Sequence, residues 1–405
     1  MRAVRYHEYG GPEVLQVDEV DRPEPAADEV LIEVTAAGVN PVDTYFREGG
    51  YEPFTLPMVT GVDAAGEAAS VGPDVAGIDA GDAVVATGLN KDHYGTCAEY
   101  VAVPSDRVVT LPDGADLVAA TPGLDDVALR VEDFSGIPSP HFTVEGMFGL
   151  VTLVRDLDAD PAVEGVVVTQ GTDVLEETAY FLDLCYGGET PVVVTGAMRN
   201  PSLASPDGPA NLLAAVRTAL DPEAGGRGVL VAFAGRVLPA REATKVHSQM
   251  VDTFRCPEFG PVGVVEEGSV TWRRRAEHPD PTFDPDPDRL TNDVAAVYVT
   301  ADAPASHLSA HADAAAVCVA ATGAGHVPES LVDAIEDLRA ADVPVIVTTR
   351  CPEGRLARST YGFRGSERTL QRLGCRYADL NLQKTRIRAI VAHAADRLDD
   401  AFDAP

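Results

Sequence analysis

The sequence changes its hydrophobic period once, near residue 112, and this change constrains the fold more than any other feature. Before it, short β-prone runs are separated by turns: Glu29 to Val34 (EVLIEV), Ala83 to Thr87 (AVVAT) and Glu99 to Val103 (EYVAV). No long amphipathic helical segment lies between them, and Gly61, Gly66, Gly72, Gly77 and Gly81 mark turns or bulges. Residues 1–111 therefore read as a compact β barrel. After residue 112, apolar strands alternate with helix-like stretches: Gly165 to Thr169 (GVVVT), Pro191 to Thr195 (PVVVT) and Val229 to Phe233 (VLVAF). Continuous Val-rich strands of this kind belong to a parallel sheet covered on both faces, here over residues 112–277. Its chemistry is expected in the loops at the strand ends.

The tract HPDPTFDPDPDRL, residues 278–290, interrupts this pattern. Proline removes backbone donors and restricts the preceding residue, and repeated Asp repels itself, so an exposed acidic linker is expected. Beyond it, over residues 291–405, strands are expected at Val294 to Thr300, Ala315 to Ala320 and Val343 to Thr349, with helices at Pro328 to Ala340 and Leu382 to Ala394. These elements make a second, smaller α/β domain.

Charge narrows the function. Thirty-one basic against 64 acidic residues give a net charge of −33, a field that repels phosphate backbones and anionic membranes, so neither nucleic acid nor membrane is expected as a partner. Lys91, Lys245 and Lys384 are the only lysines. Such an acidic, lysine-poor composition resembles that of proteins from salt-loving archaea, and weaker folding at low salt is expected. No run of 18 apolar residues occurs and the first residues lack the pattern of a secretion signal, which makes the cytoplasm the expected location. The six cysteines show no C-x-x-C spacing and read as free structural thiols. His307 and His311 are four apart without convergent Cys or carboxylate ligands, so they read as surface residues and no metal is expected.

The strongest functional signal follows the Val166 to Val168 strand: Gln170-Gly171-Thr172-Asp173, then Val174-Leu175-Glu176-Glu177. Gly171 lets backbone amides approach a ligand, and Thr172 and Asp173 stand where a helix begins with unpaired N–H groups. An ordinary strand–turn–helix cap uses the same residue types. The segment closely resembles the second active-site motif of bacterial-type L-asparaginases. So, in family order, do VEDFSGIPSPH (131–141), TQGTDVLEETAYFLDL (169–184), TGAMR (195–199), SPDGPANLLAAV (205–216), REATKVHS (241–248) and LNLQKTR (380–386).

This resemblance, which runs from about Asp113 to the C-terminus, implies hydrolysis of the asparagine side-chain amide to aspartate and ammonia without metal or organic cofactor. It assigns Thr172, Asp173 and Lys245 to the catalytic triad, and Ser139 and Asp173 to the substrate's α-carboxylate and α-ammonium. Lysine at 245 also makes chemical sense by itself, because a desolvated lysine can exchange protons whereas arginine essentially cannot. Backbone N–H groups near Gly171 and in the Thr195-Gly196-Ala197 turn are expected to orient the amide or its oxyanion. A homodimer or homotetramer is implied as well.

Three departures stand out. Gln170 replaces the motif's histidine and Val174 its second threonine. The family's first strand, ending in T-G-G-T-I and carrying the threonine usually treated as the primary nucleophile, does not occur in this chain. Thr110, near the junction, reads as an ordinary strand-end threonine.

Residues 1–111 resemble the N-terminal, GroES-like part of medium-chain quinone oxidoreductases through AGVNPVD (37–43), PMVTGVDAAGEAASVG (57–72), GDAVVAT (81–87) and YGTCAEYVAVP (94–104). The Rossmann half of such enzymes is missing and no G-x-G-x-x-G occurs, so no nicotinamide site is expected. The expected architecture is multidomain: a GroES-like barrel, an asparaginase-like α/β parallel-sheet domain lacking its first strand, and a smaller C-terminal α/β domain. Three functional readings follow: an asparaginase-type amidohydrolase of full, weak or lost activity; a non-catalytic amino-acid-binding or fusion-remnant protein; and a quinone oxidoreductase-like protein without its nucleotide-binding domain.

Overall fold

The computed structural model describes residues 1–39, 41–50, 56–87, 95–110, 124, 127–199, 205–276 and 280–402. They form two compact units, Met1–Val127 and Ala128–Pro405.

The first unit is an antiparallel β structure. Five strands pair in the order Tyr100–Pro104, Glu29–Ala37, Ala64–Val71, Ala83–Ala86, Val108–Thr110, and three more in the order Leu15–Glu19, Arg2–Tyr6, Met58–Val59. Alternating residues such as Val30, Ile32, Val84, Val101 and Val103 fill its core, as period-two patterning requires. Thr110 pairs with Val84 and closes this sheet as an ordinary strand-end residue.

The second unit has two lobes. In the first, six strands lie in the order Ser269–Trp272, Gly263–Glu266, Arg236–Pro239, Leu230–Phe233, Val192–Thr195, Val166–Thr169. Only the last three are mutually parallel, so the expected parallel sheet is in fact mixed. The reversal occurs at Ala234-Gly235, both with positive φ (48° and 72°), a two-residue hairpin turn that sends the chain back beside Leu230–Phe233. Val166–Thr169 is the outer strand, and among the described residues nothing pairs with its free side.

The second lobe is a four-stranded parallel sheet ordered Val294–Tyr298, Ala316–Ala321, Val345–Thr349, Arg376–Tyr377. Helix Leu382–Ala394, capped by Asn381 Oδ1 accepting from the Lys384 N–H at 3.0 Å, packs between the lobes. Its Ile387, Ile390 and Val391 share one apolar cluster with Leu175, Phe181 and Phe254 of the first lobe and Cys318 and Ile346 of the second.

The Pro- and Asp-rich tract is exposed at Thr282, Asp284 and 286–289 as expected of a linker, but it departs from that reading at Asp280 and Phe283. Phe283 is buried, its N–H donates to the Leu184 carbonyl at 2.8 Å, and the buried Asp280 carboxylate takes Tyr180 Oη (2.6 Å), Arg241 Nε (3.0 Å) and Arg388 Nη1 (2.7 Å). Two cations and a hydroxyl offset the cost of burying that carboxylate, which composition alone does not reveal. All six cysteines are free thiols, four of them buried. No helix among the described residues is long and apolar enough to cross a membrane.

Candidate active site

The site grows from the register of two parallel strands. Thr169 lies beside Thr195, so the loops leaving both strands emerge at one level on the C-terminal edge of the sheet, where ligands bind in open α/β sheets. The Gln170 N–H bonds the Thr195 carbonyl at 3.0 Å. Gly196 lies so close that a Cβ there would collide with the Gln170 carbonyl oxygen, and one at Gly171 would meet Ser139 Cβ and Oγ at 2.9 Å. Both glycines are thus required by close approach, and they hold residues 170–173 against the loop that carries Ser139.

Thr172 and Asp173 occupy the turn just before helix Leu175–Cys185. Ser139 is buried at the head of a short 3₁₀ turn, and its Oγ accepts from the Asp173 N–H at 3.1 Å. Val174 takes the N-cap position without a side-chain bond, a direct result of valine standing where a capping hydroxyl is usual. The Gln170 side-chain oxygen is buried without a hydrogen-bond partner among the described residues.

Lys245 arrives from the other side on the Thr244–Lys245 strand, paired with Phe254–Arg255. The Phe254 ring anchors this ribbon against Phe233 at 4.8 Å. Lys245 Nζ donates to Thr172 Oγ1 at 2.9 Å and to Asp173 Oδ1 at 3.0 Å. Its side chain is 15% exposed while that of Asp173 is 60% exposed, so the amine is shielded and the carboxylate opens to solvent. The structure therefore brings Ser139, Gly171, Thr172, Asp173 and Lys245 into one connected group.

Thr195 behaves differently from its neighbours. Its hydroxyl donates to the Ala232 carbonyl at 2.7 Å inside the core, so its side chain is engaged away from Thr172 and Lys245. The 195–197 turn is held by two residues that sequence reasoning did not single out. Asn211 Nδ2 donates to the Gly196 carbonyl at 2.9 Å, and Asp207 accepts from the N–H groups of Met198 (3.0 Å) and Arg199 (2.8 Å). Their signal was the four-residue spacing of two amide- or carboxylate-bearing side chains at a helix start.

A second layer lies beneath. The buried Glu176 carboxylate accepts from the Lys245 N–H (3.2 Å), Asn381 Nδ2 (3.0 Å) and Gln383 Nε2 (3.3 Å). Burial, reinforced by Glu176, raises the pKa of neighbouring Glu177. Burial lowers that of Lys384, against the opposing pull of Glu176.

Comparison with known proteins identifies the family. The family description "Asparaginase, N-terminal" matches residues 84–278, "Glutaminase/Asparaginase C-terminal domain" residues 293–402, and "Alcohol dehydrogenase GroES-like domain" residues 26–113. A probable L-asparaginase of Deinococcus radiodurans is 38% identical over 290 residues, covering 69% of this chain and 87% of that protein. A glutaminase-asparaginase of Pseudomonas aeruginosa is 35% identical over 283 residues, 68% of this chain and 76% of that protein. The crystal structure of a probable cytoplasmic L-asparaginase from Campylobacter jejuni superimposes with a TM-score of 0.61 at 32% identity, covering 68% of this chain and 88% of that one. The likeness is to asparaginase-type amidohydrolases. The chain belongs to the asparaginase family and carries a GroES-like domain ahead of the asparaginase lobes.

Proposed function

We propose that the chain hydrolyses the side-chain amide of L-asparagine, with Thr172 as the hydroxyl nucleophile. The observation that carries this reading is the single position of Lys245 Nζ, within hydrogen-bond distance of both Thr172 Oγ1 and Asp173 Oδ1. A threonine hydroxyl is a weak nucleophile until a neighbouring base takes its proton. In this scheme Lys245 Nζ accepts that proton while the Thr172 oxygen forms a bond to the amide carbon. The resulting oxyanion is met by backbone N–H groups near Gly171 and in the 195–197 turn. The carbon–nitrogen bond then breaks, the proton on Lys245 leaves with ammonia, and water hydrolyses the acyl-threonine to aspartate and free enzyme.

Asp173 has two tasks in this scheme. It fixes the amine beside Thr172, and its exposed carboxylate meets the substrate's α-ammonium, with Ser139 at the α-carboxylate. Metal and organic cofactors have no step in it. The same reading assigns a homodimer or homotetramer, tested by light scattering of the full chain.

One observation favours a second reading, that of a non-catalytic amino-acid clamp: the free side of strand Val166–Thr169, next to the site, has no partner among the described residues. Two measurements separate the readings. Ammonia release from asparagine and glutamine, at low and multimolar salt, tests turnover; none under either condition removes the enzyme. Calorimetric titration with aspartate then tests the clamp, which absent heat and absent thermal stabilisation would remove as well.

A further inference from the structure

Two of the chain's three lysines converge on this site, and the second has no part in the scheme above. Lys384 is fully buried on helix Leu382–Ala394, and its Nζ donates to the carbonyls of Ala240 (2.7 Å), Arg241 (3.0 Å) and Ala243. Three donors on a compact ammonium thus meet three acceptors, a match that a planar guanidinium does not make. In a chain with 28 arginines this position nevertheless holds lysine.

Those carbonyls belong to the turn that leads directly into Thr244–Lys245. Lys384 Nζ also lies 3.9 Å from Glu176 Oε2, and Glu176 receives the Lys245 backbone N–H. Asn381 links the parts, since its Nδ2 reaches both Glu176 Oε2 (3.0 Å) and Thr244 Oγ1 (3.3 Å) while its Oδ1 caps the helix. The approach to Lys245 is therefore held at its preceding turn, at Thr244 and at its own amide, by side chains from the second lobe and from the helix that follows Thr172.

We propose that Lys384, Glu176 and Asn381 are positioning residues that aim the Lys245 amine at Thr172, coupling the packing of the second lobe to the geometry of the site. This inference rests on the amidohydrolase reading for its purpose, but its geometry is testable without turnover. A buried cation and carboxylate held by this many hydrogen bonds fix a unique backbone path. Loss of one bond lets the Thr244–Lys245 strand shift, and a lateral error of about 1 Å in a catalytic group is costly.

The scarcity of lysine makes the test clean. Acylation of the full-length protein with a lysine-directed reagent, followed by peptide mapping, reports Lys245 separately from Lys91 and Lys384. Hydrogen exchange of the peptide containing Lys245 reports its amide. Glu176→Ala is expected to speed both by at least about tenfold, the lower end of the scale of one lost hydrogen bond to a charged acceptor. Glu176→Gln, which keeps an acceptor oxygen, is expected to restore most of the protection, and Lys384→Arg is expected to behave like Lys384→Met. If the Glu176 or Lys384 variants do not fold, as judged by circular dichroism, Asn381→Ala removes one arm of the network and is expected to give the same direction of change.

Where asparagine is turned over, these variants lower kcat and leave KM nearly unchanged. Folded variants with Lys245 labelling and amide exchange within twofold of the parent overturn the proposal. Absent ammonia release by the parent protein counts against the amidohydrolase reading alone, because labelling and exchange still decide the positioning role.

Discussion

Lys245 Nζ lies 2.9 Å from Thr172 Oγ1, across 73 residues of sequence. Neither residue reaches the other through its own strand or helix. Thr172 is placed by the end of strand Val166–Thr169, and Lys245 by a two-stranded ribbon pinned through Phe254. The pair is a product of tertiary packing.

The glycines at the loop crossing are expected to be intolerant of a methyl group. Gly196→Ala drives a Cβ into the Gln170 carbonyl, and Gly171→Ala displaces Ser139 from the Asp173 N–H. Each should cost about 1–3 kcal/mol by overpacking and reduce kcat/KM by at least about tenfold through misplacement of Thr172. Gly136→Ala, with nothing within 4 Å of the added Cβ, serves as the control and should leave denaturant midpoint and rate unchanged.

The free side of strand Val166–Thr169 gives a second test. The N–H groups of Val166 and Gln170 bond to Pro191 and Thr195, so by strand alternation those of Val167 and Thr169 point away from the sheet. Residue-resolved hydrogen exchange should find Val167 and Thr169 fast and Val166 and Val168 slow. Protection at all four positions would show that another strand covers this edge.

Much of this was legible in sequence, and the reasons differ by element. The strand ends and helix Leu382–Ala394 were visible because Val-rich runs and a 3.6-residue period are local properties. Thr172, Asp173 and Lys245 were named only through the family resemblance of the segments that carry them, and the structure brings their side chains within hydrogen-bond distance. The antiparallel return at Ala234-Gly235 was not, since the following strand is apolar enough to pass for a parallel one. Asp280 was misread because its partners Tyr180, Arg241 and Arg388 lie about 40 to 110 residues away, and only long-range pairing makes its burial tolerable. The bond from the Thr195 hydroxyl to the Ala232 carbonyl was not legible, because it joins residues of two neighbouring strands 37 positions apart.

Thiol chemistry should separate the six cysteines by burial. Burial pushes Cys185, Cys256, Cys318 and Cys375 up to about 12, and raises half-buried Cys97 more modestly with a contribution from Asp43. At pH 8 a thiol of pKa 12 is thiolate in only about one molecule in 10⁴. Ellman's reagent is therefore expected to titrate exposed Cys351 at once and Cys97 slowly, with the other four reacting only on denaturation. Three or more fast thiols in the native protein would contradict the packing described.

The net charge of −33 predicts salt-dependent stability. Screening shortens from about 10 Å at 0.1 M to about 3 Å at 1 M salt, which relieves repulsion among carboxylates. The melting temperature should rise by several degrees, about 5 °C or more, between 0.1 and 2 M KCl. A flat or falling profile would mean that ion pairs such as Arg241–Asp280 outweigh the general repulsion.

The central claim is that the Thr172 hydroxyl and Lys245 amine act as a nucleophile and its base. Ammonia release from L-asparagine by the full chain, set beside Thr172→Ala, Lys245→Ala and Lys245→Arg, tests it most directly. The account predicts measurable release by the parent and a loss of at least about 100-fold in all three variants, the arginine included because it keeps the charge but cannot take the proton. Release that persists in Thr172→Ala or in Lys245→Arg, or that is absent from the parent at every salt concentration, would contradict it.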